Sequence, residues 1–203
     1  MPDIKVLFFD IGGVLLSNGW DRHARRRASG QFDLDWEDFQ DRHDFVSPEF
    51  ETGALTITEY LRRTIFYRER RFSEEEFFAF MKAQSEPYPE SLRLVRELST
   101  TGRYLLATLN NESRELNDHR IKEFGLRDHF SLFLSSCYLG VKKPDEAIYK
   151  LAIDVTGYDP DQCVFVDDRK LNLECADLAG IRPIHFQSAD QLRASLGELG
   201  VAA

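Results

Sequence analysis

Apolar and polar positions divide the chain into two regimes. From Pro87 onward, short apolar runs alternate with stretches of helical period. The runs are Tyr104–Leu109, Ser131–Leu134, Cys163–Val166 and Ile181–Phe186, and an earlier one ends at Phe9. Each is brief and apolar throughout, as expected of a strand buried on both faces. Between them the apolar residues recur every three or four positions. Leu92, Val95 and Leu98 give one helix that starts at Pro89 and closes at Gly102. A second helix runs from Ser113 to Phe124, before Gly125. A third carries Ile148, Leu151, Ala152 and Val155 and ends at Gly157, after a loop over Cys137–Pro144. A fourth follows Asp168 and runs to about Ala179. The last spans Ser188–Leu199, with Ser188 and Gln191 spaced as a capping box. Strands alternating with helices predict an α/β fold, a Rossmann-like parallel sheet with helices on both faces.

Residues Asn18–Glu86 behave differently, with no buried strand and four helix-compatible stretches. These are Trp20–Ala28, Leu34–His43, Thr58–Tyr67 and Ser73–Lys82, the last opening on a Ser73/Glu76 capping box. Residues 17–86 therefore read as a small helical subdomain inserted after the first strand, and 1–16 with 87–203 as the sheet domain. The aromatic residues of the insertion suit its own core. Arg22, Arg25, Arg26 and Arg27 suit a solvated helix face.

Composition narrows the function. The 203 residues are 42% apolar and 30% charged, ordinary for one globular unit, and the net charge of −9 argues against nucleic acid as partner. No run approaches the length of a membrane span, and the N-terminus lacks a basic region followed by an apolar one. Three cysteines without C-x-x-C spacing fit a reducing cytoplasm better than a disulfide framework or a zinc site.

The chemistry gathers where strands end. An open parallel sheet lines up the carboxyl ends of its strands at one edge, and ligands bind there. Asp10 ends the first run, Thr108 and Asn110 the second, Asp167 and Asp168 the fourth. Lys142 and Lys143 stand in a loop that enters a helix. Three carboxylates at one edge repel one another and call for a cation. An all-oxygen set suits magnesium. A nearby lysine can hold a phosphoryl oxygen, and a carboxylate can act as nucleophile. The set fits a magnesium-dependent phosphatase or phosphotransferase for a small phosphorylated metabolite.

F-F-D-I-G-G-V-L-L, T-L-N-N, G-V-K-K-P-D-E-A-I-Y and V-F-V-D-D-R-K-L-N, in this order, resemble the four motifs of the haloacid dehalogenase superfamily. Residues 17–86 stand where that family inserts a helical cap. The resemblance implies Asp10 as nucleophile and magnesium ligand, and the Gly12 carbonyl and Asp168 as further ligands. It implies Thr108 and the Asn110 amide on phosphate, Lys143 between nucleophile and phosphate, and Asp167 behind the metal or the lysine. Two positions depart from the pattern. Gly12 stands where the family's phosphatases carry a second aspartate as general acid and base. Leu109 stands where a Ser or Thr usually precedes the Asn, so Thr108 reaches phosphate only if a bulge re-aims it. Gly12 and Leu109 motivate an alternative, a degenerate member that binds phosphate or a metabolite. A hydrolytic dehalogenase, which needs no metal, is disfavoured by the Asp167-Asp168 pair and by Gly12. In the cap, Trp20, Arg22, His23 and Arg26 are candidate substrate contacts.

Overall fold

The computed structural model describes residues 3–202. Its centre is a five-stranded sheet of β1 (Val6–Phe9), β2 (Leu105–Asn110), β3 (Leu132–Ser135), β4 (Cys163–Asp167) and β5 (Arg182–His185). The spatial order is β3-β2-β1-β4-β5 and each neighbouring pair is parallel. β1 is central, and every one of its residues is fully buried. That burial explains its unbroken apolar run, because each face meets helices.

Side-chain alternation along the strands sorts the two faces. Leu7, Phe9, Leu106, Val164 and Val166 share one apolar cluster with helices α5 (Pro89–Thr100), α6 (Arg114–Glu123) and α10 (Ala189–Glu198). Val6, Phe8, Ala107, Leu109 and Phe165 share the opposite cluster with α8 (Glu146–Thr156) and α9 (Lys170–Leu178). Burying one side chain the size of Phe8 or Phe9 contributes roughly 1.5–3 kcal/mol. The two layers therefore hold β1 rigidly.

Between β1 and α5 lie α1 (Arg22–Gln31), α2 (Trp36–Glu51), α3 (Ile57–Thr64) and α4 (Glu74–Lys82). Each starts on a side-chain cap, at Asp21, Asp35, Thr56 and Ser73, with full capping boxes at Thr56 and Ser73. These helices pack around their own cluster, including Trp20, Phe39, Phe50, Tyr60, Phe77 and Met81, which Leu116 of α6 joins. The entering and leaving segments are tied together. Ser17 N–H donates to Glu86 O at 2.8 Å, and Ser17 Oγ donates to Gln84 O at 2.9 Å. Arg120 of α6, almost fully buried, donates to Ser17 O, to Ser85 Oγ and to the Glu112 carboxylate.

Local details differ from the sequence pattern. The loop after β3 begins with a short helix, α7 (Ser136–Leu139), whose Ser136 Oγ donates to Glu51 O at the end of α2. Only half of the capping box at Ser188 forms. Ser188 Oγ accepts from Gln191 N–H, while the Gln191 carbonyl reaches back to Gln187 N–H instead. No helix among the described residues is long and apolar enough to cross a membrane.

Candidate active site

The register between β1 and β4 pairs Phe9 with Val166, so Asp10 and Asp167 leave the sheet side by side. Asp10, Asp167 and Asp168 each offer a carboxylate oxygen, all within 4.8 Å of one another. Lys143 Nζ stands between two of them, 2.6 Å from Asp167 Oδ2 and 3.1 Å from Asp10 Oδ2. Its side chain is 1% exposed, so this is a buried ion cluster. The lysine's backbone is fixed by Asn111, whose side chain donates to Lys143 O and accepts from Lys143 N–H, both at 2.8 Å.

The three carboxylates are not equivalent. Asp167 is filled, since it accepts from Lys143, from Arg169 N–H at 2.7 Å and from Asn172 Nδ2 on both oxygens. Asp10 accepts Ile11 N–H at 2.7 Å on Oδ1 and faces Lys143 with Oδ2. Asp168 Oδ1 is buried with no partner. Burial pushes the Asp10 carboxyl up, Asp167 adds to that, and Lys143 opposes it. Asp168 is also raised, chiefly by burial and then by Asp167. In both groups removal from water is the first cause. No hydrogen bond among the described residues ends on the Gly12 carbonyl. An unpartnered carboxylate oxygen within 4.8 Å of a second carboxylate is an oxygen donor set that fits a hard divalent cation.

Two glycines shape this edge. Gly13 has φ +77°, and a Cβ there would lie 2.3 Å from Asp168 Oδ2. The backbone passes close beneath the carboxylate, so only glycine fits. A Cβ on Gly12 would meet Asn18 Oδ1 at 3.2 Å. The space beside Asp10 is thus partly filled by an amide, which cannot serve as an acid.

A cavity of about 540 Å³ opens on this edge. Asp10, Gly12, Lys143, Asn111 and Glu112 line it from the sheet side, and Trp20, Arg22, Arg25, His43 and Phe50 from the helical side. The structure does not bring Thr108 or Asn110 to its wall. Thr108 sits in regular parallel pairing with Phe9 on one side and Phe133 on the other, with no bulge. In a regular strand its side chain lies on the same face as Leu106, among the packed helices. Its hydroxyl is buried there without a partner. Asn110 spends its side chain within the core, donating to Asn117 and accepting from Ser135. After β2 the chain reaches the cavity at Asn111 and Glu112.

The helical side also departs from expectation. Of the four candidate contacts, Trp20 and Arg22 line the cavity, while His23 and Arg26 are exposed away from it. Arg25, expected on a solvated face, is buried at 8% exposure and lines the cavity. Ala24, Ala28 and Ser29 are buried with it, so one side of α1 turns inward. His43 of α2 is its buried neighbour in the wall.

A sequence profile of haloacid dehalogenase-like hydrolases matches residues 4–180. The chain belongs to this family. Among curated relatives of this haloacid dehalogenase-like chain, a flavin mononucleotide hydrolase of Arabidopsis thaliana is 28% identical over 79% of the chain and 64% of its own length. A phosphoserine phosphatase of Thermus thermophilus is 33% identical over 48% of the chain and 39% of its own length. The chain thus spans less than two thirds of these two relatives. A solved structure of the family, enzyme bt-2542 of Bacteroides thetaiotaomicron, superposes with a TM-score of 0.77 at 21% identity. That match covers 92% of this chain and 95% of the other, and extends the shared fold through the helical insertion.

Proposed function

We propose that the chain is a magnesium-dependent phosphatase of a small phosphorylated metabolite, with 17–86 as the cap over 1–16 and 87–203. One observation carries this reading: Asp168 Oδ1 is buried and unpartnered next to Asp10, while Lys143 bridges Asp10 and Asp167. A dehalogenase, needing no cation, leaves that oxygen unexplained. Relatives support the choice. The flavin mononucleotide hydrolase and the phosphoserine phosphatase act on phosphate esters, and bt-2542 has been solved with magnesium and inorganic phosphate.

Asp10, Asp168 and the Gly12 carbonyl would hold the cation, which when bound supplies charge neutralisation for the phosphoryl oxygens. Asp167 stays behind, since its oxygens already hold Lys143, Arg169 N–H and Asn172. The Asp10 carboxylate attacks phosphorus. A bond from Asp10 oxygen to phosphorus forms as the ester O–P bond breaks, and that electron pair leaves on the ester oxygen. Water then attacks the same phosphorus, releasing phosphate and restoring Asp10. Lys143 Nζ is placed to hold a phosphoryl oxygen throughout. Thr108 lies off the cavity wall, so this reading leaves the phosphate to Lys143 and to the cavity end of β2 at Asn111. Gly12 offers no proton to the leaving oxygen, so leaving groups that depart as anions are favoured.

Magnesium-dependent phosphate release from p-nitrophenyl phosphate tests the reading. Asp10→Asn and Asp168→Ala are each expected to lose the activity, as is the wild type in EDTA. Halo-acid turnover that survives EDTA would sink it. Gly12 also motivates a degenerate, binding-only reading, and a phosphate analogue that binds with magnesium but without any turnover would favour that instead.

The Gly12 account has its own check. Gly12→Asp combined with Asn18→Ala, which clears the Oδ1 at 3.2 Å, is expected to speed an alkyl phosphate by about 10²-fold. The aryl ester, whose leaving group needs no proton, should change little. An unchanged alkyl rate in a folded double variant would refute the account.

A further inference from the structure

The cap side of the cavity holds a buried guanidinium, Arg25, that forms no ion pair among the described residues. Arg25 Nη1 donates to Trp20 O at 2.8 Å and its Nε to Gln40 at 3.1 Å. Both acceptors are uncharged, and Nη2 has no acceptor among the described residues. Asp44, Asp21 and Glu51 attract it at longer range, the last two from the cavity wall, but none pairs with it, and each has another partner. Asp21 caps α1 through Ala24 N–H, Asp44 accepts from Gln40, and Glu51 pairs with Lys142 at 2.8 Å. A guanidinium removed from water without a counter-ion is costly, and such groups are paired in folded proteins. Arg25 lines the same cavity as Asp10, so the missing counter-ion has access to it.

His43 supplies a second donor by a relay. Trp20 Nε1–H donates to Tyr60 Oη at 2.9 Å, and Tyr60 Oη lies 2.9 Å from His43 Nδ1. Tyr60 is fully buried, and with its oxygen taking the Trp20 donor its hydroxyl is placed to donate to Nδ1. That donation makes Nδ1 the acceptor and assigns the proton of the neutral ring to Nε2. Burial, with Arg25 adding to it, pushes the ring's pKa down to about 3, which keeps it neutral. The Nε2–H has no protein acceptor among the described residues, and the ring lines the cavity.

We propose that Arg25 and His43 form a subsite for a second anionic group on the substrate, a carboxylate or a further phosphoryl. The inference rests on the phosphatase reading of Asp10. It makes the substrate a doubly anionic phosphate ester, with one end at Asp10 and Lys143 and the other at Arg25 and His43.

Binding of three non-hydrolysable probes with magnesium separates the possibilities. Methylphosphonate carries one anionic group, phosphonoacetate adds a carboxylate, and methylenediphosphonate adds a phosphoryl. Calorimetry on the wild-type protein is expected to show at least one of the latter two binding tenfold or more tighter than methylphosphonate. Which one does so identifies the second group. Arg25→Met should erase that preference, Arg25→Lys should restore part of it, and methylphosphonate affinity should move less than twofold. Equal affinities in the wild type would overturn the subsite without any variant, and so would a preference retained in folded Arg25→Met. Failure of all three probes to bind would instead overturn the phosphatase reading, and the subsite with it.

Discussion

Lys143→Met is expected to lower folding stability by about 3–5 kcal/mol in metal-free buffer, the usual cost of removing one partner from a buried ion pair. The lysine side chain is 1% exposed and Asp167 is fully buried, so solvent cannot compensate for the missing charge. Asn172 and Arg169 N–H remain on Asp167, but neither carries its neutralising charge. Methionine matches the lysine's stem in size, so the loss is chiefly electrostatic and includes the ammonium's place 5.1 Å over the Phe165 ring. Urea unfolding measures the effect. Adding Asp167→Asn should recover more than half of it, because the uncompensated carboxylate is then gone. Phosphate release should also fall about 10²–10³-fold in Lys143→Met, the scale of losing one charged donor to a phosphoryl oxygen. A stability change under about 1 kcal/mol would mean that the buried cluster is hydrated and weakly coupled.

Gly13→Ala is expected to damage the cation site far more than the fold. The new methyl would enter to 2.3 Å of Asp168 Oδ2 and 2.5 Å of its Cγ, so the carboxylate must swing away. The positive φ adds about 1–2 kcal/mol of backbone strain. Displacing a ligand that the donor set needs should weaken magnesium binding about 10–100-fold, comparable with losing a group that orients a ligand. Calorimetric titration of magnesium measures this. An unchanged affinity would show that Asp168 is not a ligand. Gly12→Ala is the contrasting control, since its Cβ comes no closer than 3.2 Å to Asn18 Oδ1, with the Asn18 Cα at 3.5 Å and Arg120 Nη1 at 3.8 Å, and touches none of the carboxylates.

Much of this architecture was legible in the sequence because burial on both faces writes itself as continuous apolar runs. β1, β2 and β4 are such runs, and their parallel order brings Asp10, Asp167, Asp168 and Lys143 to one edge. The haloacid dehalogenase-like motifs carried the same residues. Thr108 was less legible. Strand alternation sends it into the helix-packed face, and only the pairing with Phe9 and Phe133 shows that no bulge intervenes. Asn111 and Asn172 stand in the quoted motifs, but their roles in fixing Lys143 and Asp167 were not legible, because an amide's hydrogen-bond partner leaves no periodic signal. Arg25 was hidden by its neighbours. Four arginines in a short helix read as one solvated face, yet Ala24, Ala28 and Ser29 turn one of them inward. The relay from Trp20 through Tyr60 to His43 joins residues far apart in the chain and is visible only once the helices pack.

The central claim is that Asp10 attacks phosphorus. Acid quenching during the first turnover of p-nitrophenyl phosphate with magnesium, followed by mass spectrometry of the peptides, tests it directly. The expected result is a phosphoryl group on the peptide that contains Asp10, appearing before free phosphate and absent in Asp10→Asn. Phosphate released at every quench time with no phosphoryl group on that peptide, or with the group on another residue, would contradict the account.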